Sequence, residues 1–247
     1  MKKTFLLSCL MLAAMPVMAA YTGHVYVDKN KNGVFDQSEK PLAGIKVSDG
    51  LNVVETAADG SFTLPGHERE RFIFITTPSG YKTFNRHYHK IEKKQSGYDF
   101  GLIPYSGRIR KDGSHRYIHI TDTEIFNTEN HADWVNNVRD YARNEQAAFI
   151  IHTGDICYEK GLKAHIKLMN TENMDCPVFY CIGNHDLVKG KYGEELFESI
   201  YGPVYYSFDA GNVHYVVTPM PGGDHAPGYT SDDVCRWLKN DLAHIRP

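Results

Sequence analysis

Short runs of apolar and polar residues, cut by turns, fill positions 21–104, and a 3.6-residue rhythm interleaved with apolar runs takes over beyond 115. In the first stretch, residues 24–28, 44–48, 53–56, 61–64 and 71–76 are rich in Val, Ile, Phe, Tyr and Thr, which suit a pleated, half-buried surface. Asp49-Gly50 and Asp59-Gly60 stand where hairpin turns belong, because both residue types tolerate positive φ. No helical period appears before residue 105. The pattern predicts a small immunoglobulin-like β-sandwich over 21–104. Residues 105–115 are polar and aperiodic and read as a linker or entry loop.

Beyond that loop the pattern predicts strands at 116–121, 147–152 and 178–182, separated by helices at 133–143 and 162–170. In the first helix Val135, Val138 and Ala142 share a face. A helix at 194–201 and strands at 205–209 and 213–218 follow. The last helix starts at Ser231, with Thr230 and Asp233 in capping-box spacing and Val234, Trp237, Leu238, Leu242 and Ile245 on one face. Strands alternating with helices imply right-handed crossovers and a parallel central sheet. Residues 105–247 therefore read as an α/β domain.

Residues 1–20 read as an export signal: Lys2 and Lys3 form a charged start, 5–14 an apolar run, and Val17-Met18-Ala19 a small-residue cleavage site. The run is too short to span a bilayer as a helix. A lipoprotein reading at Cys9 leaves an apolar core of only a few residues and is disfavoured. An exported, periplasmic or extracellular protein is the expectation, with no transmembrane segment after cleavage. The chain has 27 basic and 30 acidic residues; without Lys2 and Lys3 the basic count falls to 25 and the net charge to −5. That balance carries no nucleic-acid-binding signal. Cys157, Cys176, Cys181 and Cys235 remain after cleavage. A Cys176/Cys181 bridge is conceivable in an oxidising compartment, but free buried thiols fit the apolar run between them better.

The unusual residues fall at strand ends. Asp122 and Glu124 follow the first α/β strand, Gly154-Asp155 the second, and Gly183-Asn184-His185-Asp186 the third. In an open α/β sheet the carboxyl ends of adjacent strands form the ligand crevice, so carboxylates, an amide oxygen and an imidazole would converge there. Such donors suit Mn, Fe or Zn, with Mg possible, and two such ions sharing a carboxylate can drive an in-line displacement at phosphorus. Asp155 is the candidate shared carboxylate. His119 and His152, on strands beside these motifs, are expected to be buried core or supporting residues.

These residues resemble the calcineurin-like metallophosphoesterases, whose pattern is Asp-x-His, then Gly-Asp, then Gly-Asn-His-Asp/Glu at successive strand ends. The 33 residues from Asp122 to Asp155 and the 29 from Asp155 to Asn184 fit one βαβ crossover per step. The resemblance covers about 116–247. It implies hydrolysis of a phosphate mono- or diester, with two divalent metals held by Asp122, Asp155, Asn184 and, by position, Glu124. It implies leaving-group assistance by His185, with Asp186 and Glu159 in support.

Three departures accompany it. Glu124 stands where the family has His, which would favour harder ions. Tyr158 stands where many members have an acid that orients the catalytic histidine, with Glu159 beside it. No later Gly-His-x-His motif appears, His214 and His244 being placed in a strand and near the last residue, and only His225 is a candidate for the crevice. The family's layered sandwich is thus expected to be partial, and the chain alone weakly active or inactive. The rival expectation is a non-catalytic exported binding protein with a degenerate phosphoesterase domain.

A second constellation lies in the N-terminal region. Asp28, Asn30, Asn32, Gly33, Val34, Asp36 and Glu39 occupy positions 1, 3, 5, 6, 7, 9 and 12 of a calcium loop, with Val34 offering its carbonyl. No helices flank it. It resembles the calcium loop of bacterial surface β-sandwich modules, and its role would be structural.

Overall fold

A computed structural model of the chain describes residues 20–245, so the export-signal reading falls on residues that lie, but for Ala20, outside those described. Nine short strands make two sheets before residue 105: β1 (Tyr21–Val27), β2 (Lys40–Pro41), β3 (Lys46–Ser48), β4 (Val53–Glu55), β5 (Ser61–Leu64), β6 (Phe72–Ile75), β7 (Tyr81–Thr83), β8 (Tyr88–Lys90) and β9 (Phe100–Pro104). The first sheet runs β2-β1-β9-β7, with β5 also on β1; the second runs β4-β3-β6-β8. All pairs are antiparallel except β1 with β9, which align Val25 with Phe100. Val25, Leu64, Phe100 and Leu102 of the first sheet meet Val47, Ile73 and Ile75 of the second in one core.

The sequence of β6, Phe-Ile-Phe-Ile, lacks polar alternation because both of its faces are buried. Ile73 and Ile75 point into the first core, whereas Phe72 and Phe74 join a second core with Phe149, Phe179, Phe208 and Trp237. The two regions separated in sequence at 105–115 therefore share packing. Backbone contact reinforces it: Asp209 donates its N–H to the Thr77 carbonyl at 2.8 Å.

The second region holds a parallel sheet of β10 (Tyr117–Ile120), β11 (Phe149–His152) and β12 (Val178–Tyr180), in that order. The crossovers are α1 (Ala132–Asn144) and α2 (Glu159–Leu168), and α3 (Glu195–Tyr201) follows. An antiparallel hairpin, β13 (Tyr206–Ala210) and β14 (Val213–Val217), packs its aromatic face on the sheet, with the rings of Phe208 and Phe179 stacked at 3.6 Å. The outer edge of β12 is closed by the Tyr206 hydroxyl, which accepts from Tyr180 N–H and donates to Tyr180 carbonyl, both at 2.9 Å. That satisfies an edge that would otherwise stay unpaired.

The last helix, α4 (Ser231–Leu242), starts at the expected capping box: Thr230 Oγ1 accepts from Asp233 N–H at 3.2 Å, and Asp233 accepts from Thr230 N–H at 3.0 Å. Trp237 is buried, but Leu242, expected on the same apolar face, is 49% exposed because it turns away from the β-sheets. The α2 helix begins one turn earlier than its apolar period suggests, at Glu159, directly after the second motif. The fold is mixed α/β with several sheets and few helices. The four cysteines from Cys157 onward are free, and no helix among the described residues is long and apolar enough to cross a membrane.

Candidate active site

The loops after β10, β11 and β12 lock together through their backbones. Asp122 N–H donates to the Gly154 carbonyl at 3.1 Å. A Cβ at Gly154 would lie 2.6 Å from Gly183 Cα, and a Cβ at Gly183 would lie 2.2 Å from both the backbone N and Oδ1 of Asp155. Only glycines let the second and third motifs approach so closely. His185 N–H then donates to Asp155 Oδ1 at 3.1 Å. Asp122, Asp155, Asn184 and His185 are thereby brought to one end of three adjacent strands.

Three acids here sit in left-handed backbone: Asp122 at φ 53°, Glu124 at 45° and Asp155 at 48°. Non-glycine residues there cost on the order of 1–3 kcal/mol each and cluster at functional sites. Asp122 and Glu124 are exposed and Asp155 is half-buried. Among the described residues, none of the three forms an ion pair with Lys, Arg or His. Acidic oxygens with no cation of their own, plus the Asn184 amide, form a donor set that fits a hard divalent ion.

Asp186 is fully buried and ties the motifs together, accepting from Cys157 N–H at 3.1 Å and Gly183 N–H at 2.9 Å. Burial pushes its carboxyl up to about 6, against the pull of those amides. Glu159 does not support His185: its carboxylate pairs with Lys163, one turn along α2, at 3.4 Å. The partner of His185 is Asp224, whose Oδ2 lies 2.9 Å from His185 Nδ1. The Asp224 N–H donates to the Asn184 carbonyl at 3.1 Å, and a Cβ at Gly223 would lie 2.5 Å from that carbonyl, so the 222–226 loop rests directly on the third motif. The hydrogen bond that His185 donates to Asp224 raises the His185 pKa, and the same bond lowers that of Asp224. The Tyr158 ring lies 5.1 Å from the His185 ring. Its phenol pKa is raised by desolvation and by the nearby charges of Asp224, Glu124 and Asp155.

The histidines sort differently from the sequence expectation. His152 is fully buried and uses both ring nitrogens, Nε2 toward Thr123 Oγ1 at 2.9 Å and Nδ1 as acceptor from Gly154 N–H at 3.3 Å. Burial holds its pKa down at about 4. His119, expected to be buried, is exposed because β10 is an edge strand; its Nε2 meets Thr153 Oγ1 at 2.7 Å. His225 is exposed while its neighbour Asp224 turns toward His185. His214 lies between Asp209 and Asp241, and His244 against Val53 and Glu55. Among the described residues, no later histidine is bonded to a crevice residue.

A compact candidate metal-binding group lies elsewhere. Ligand atoms of Asp49, His67 and Glu70 fall within 4.8 Å of one another, closer than the crevice acids gather. These atoms are already engaged: Asp49 Oδ1 accepts from Leu51 and Asn52 N–H at 3.0 and 2.7 Å, His67 Nε2 donates to the Asp49 carbonyl at 3.1 Å, and Glu70 accepts from the Tyr21 hydroxyl and His67 N–H.

Comparison with known proteins bears on the whole chain. A family model described as calcineurin-like phosphoesterase matches residues 115–240, and one described as the N terminal of calcineurin-like phosphoesterase matches 29–104. No curated protein matches the chain.

Proposed function

The chain belongs to the calcineurin-like phosphoesterase family, and from that premise we propose that its strand-end crevice hydrolyses a phosphate mono- or diester with two divalent metal ions. One observation supports this reading above the rest. Asp122, Glu124 and Asp155 occupy left-handed backbone at adjacent strand ends, and among the described residues none of the three is ion-paired with a basic side chain. Asp122, Asp155 and the side-chain amide oxygen of Asn184 would hold Mn, Fe, Zn or Mg, with Glu124 as a further oxygen donor where relatives use imidazole. When bound, the ions supply positive charge to the phosphoryl oxygens and the attacking water.

The protein's own acid is His185. Asp224 holds a proton on Nδ1 and fixes the ring, which leaves Nε2 to carry a proton to the leaving oxygen. The raised pKa keeps the imidazole cationic to higher pH, as a general acid requires. Asp224 thus performs from a distant loop the orienting task that position 158, a tyrosine here, does not. We read the 21–104 region as the immunoglobulin-like module of an exported enzyme.

The test is a chromogenic phosphate monoester and diester assay with Mn²⁺, Zn²⁺ and Fe²⁺. Metal-dependent turnover that Asp155→Asn abolishes supports the proposal. A second reading, a non-catalytic exported binding protein, draws on the same geometry: Glu124 and Tyr158 replace two family residues, and His214 and His244 are committed elsewhere. Metal and phosphate binding by calorimetry with no turnover on either ester would favour that reading.

A further inference from the structure

The loop between β1 and β2 buries two carboxylates without a cation. Asp28 is 1% exposed and Glu39 7%, and among the described residues neither they nor Asp36 is ion-paired with a basic side chain. Taking an ionised carboxylate out of water is costly unless positive charge or hydrogen bonds compensate. Backbone amides compensate in part: Asn32 and Gly33 donate to Asp28 at 3.2 and 2.9 Å, and Lys29 and Asp36 donate to Glu39 at 2.9 and 3.2 Å. The Asn30 and Asn32 amides converge on one oxygen, Asp36 Oδ2, at 2.7 and 3.0 Å.

A second observation comes from outside the loop. Tyr26 is 0% exposed, packs its ring 4.9 Å from that of Phe35 in the loop, and among the described residues has no hydrogen-bond partner for its hydroxyl. That hydroxyl shares one side of Gly101 with Asp28: a Cβ built there would lie 3.0 Å from Asp28 Oδ2 and 3.2 Å from the phenol oxygen. A buried hydroxyl without a partner normally signals a missing water or ion. Among the described residues the carboxylates have no basic partner and the phenol has no hydrogen-bond partner.

We propose that this loop is a binding site for one Ca²⁺ ion, held by Asp28, Asn30, Asn32, Asp36, Glu39 and the Val34 carbonyl, with Tyr26 bonding a water of the ion's shell. Six oxygen donors on one loop suit calcium. Magnesium demands a tighter octahedron and gives up its water reluctantly, and soft metals want nitrogen or sulfur. The ion's place explains its use. Asp28 N–H donates to the Leu102 carbonyl at 2.9 Å, and Gly33 abuts Phe84 and Asn85, so the loop braces the parallel pairing of β1 with β9 across some seventy-five residues of chain. None of its residues belongs to the crevice, so the site stands apart from the phosphoesterase reading.

The full chain is titrated with Ca²⁺ alone by calorimetry, and its melting is followed with Ca²⁺, with Mg²⁺ and after a chelator. The expected result is saturable Ca²⁺ binding, a melting midpoint that rises with Ca²⁺ and falls back with chelator, and a smaller response to Mg²⁺. Glu39→Gln and Asp36→Asn each weaken binding about tenfold or more, since each removes an anionic donor. Asp36 lies on the surface loop, so its variant keeps the test decisive if Glu39→Gln does not fold. Asp155→Asn leaves the Ca²⁺ response unchanged. The proposal is overturned if the wild-type chain shows neither heat nor shift. It is equally overturned if the response survives Asp36→Asn and disappears in Asp155→Asn, which would put the ion in the crevice.

Discussion

Where the two regions meet, three buried carboxylates each have a cation at hand. Arg71 of the N-terminal region lies 2.8 Å from Glu194 and 2.9 Å from Glu198, and His214 sits 2.8 Å from Asp241 while also meeting Asp209 at 2.6 Å. Ser207 extends the second network, donating to Asp241 at 2.9 Å and meeting Thr76 of the N-terminal region at 2.8 Å. In the crevice, Asp122, Glu124 and Asp155 have left-handed backbone and, among the described residues, no ion pair with a basic side chain. The contrast separates two uses of the same residue type. A carboxylate buried against its own cation holds the fold, and removing the cation is expensive. In the function proposed above, carboxylates left without a basic partner in strained backbone await a cation that the chain does not supply.

Breaking the seam should have the largest effect on stability. Arg71→Met leaves Glu194 and Glu198 buried without a cation, and a loss of roughly 3–5 kcal/mol is expected in urea melts. Burial already pushes the Glu198 carboxyl up to about 7, while Arg71 pulls it down, so the second change Glu198→Gln should recover part of the loss. A midpoint equal to wild type in Arg71→Met would dissolve the comparison at its stronger end.

Gly183→Ala tests the crevice backbone. The new Cβ would press on Asp155 N and Oδ1 at 2.2 Å, and a cost of about 1–3 kcal/mol is expected from the forced shift. Bound metal, measured by mass spectrometry after loading and gel filtration, should fall with it. Retained metal would show that Asp155 can move without consequence.

The His214 network should give a smaller effect, visible through pH. Burial alone would lower its pKa, but the hydrogen bonds it donates to Asp209 and Asp241 outweigh that and lift it to about 9. The folded state therefore binds the proton more tightly than the unfolded chain, whose histidine titrates near 6.5. The stabilisation is complete below about pH 6.5 and is lost as pH rises through about 9. Urea melts between pH 6 and 9.5 should show that decline, and His214→Gln should flatten it. An unchanged slope in the variant would move the origin elsewhere.

His185→Ala should barely alter stability, by about 0.5 kcal/mol or less, because the ring is partly exposed. On the metal-loaded enzyme it should lower turnover about 10²–10⁴-fold with metal content intact. Asp224→Asn should cost less and add little in the double variant, since both changes remove one function. Loss of metal from His185→Ala would instead make it a ligand.

The strand ends bearing Asp122, Asp155 and Asn184 were legible because apolar runs announce strands and each motif follows one directly. The capping box of α4 was legible for the same local reason. Asp224 was not: it is 39 residues beyond His185, in a loop with no period, and nothing local marks it as a partner. Glu159 was the natural choice by proximity along the chain, yet α2 starts at that residue and its side chain turns to Lys163 on the same helix. His119 looked buried because it lies in an apolar strand, but β10 is an edge. The alternation-free β6 was readable as a strand, whereas the reason for its all-apolar sequence, a second region packed on its outer face, was not.

Local pattern by itself determined five of the nine strands before residue 105, the strands and helices of the second region, the order of the three motifs and the donor spacing of the 28–39 loop, because those depend on residues a few positions apart; β2, β7, β8 and β9 were not marked by it. Tertiary structure alone decided which charges are paired. Arg71 finds Glu194 across 123 residues, and His214 finds Asp241 across 27. Sheet packing also chose the face each strand buries and whether an edge is covered. The physical reason is that burial and charge pairing are properties of the space around a side chain, and that space is filled here largely by residues distant in sequence.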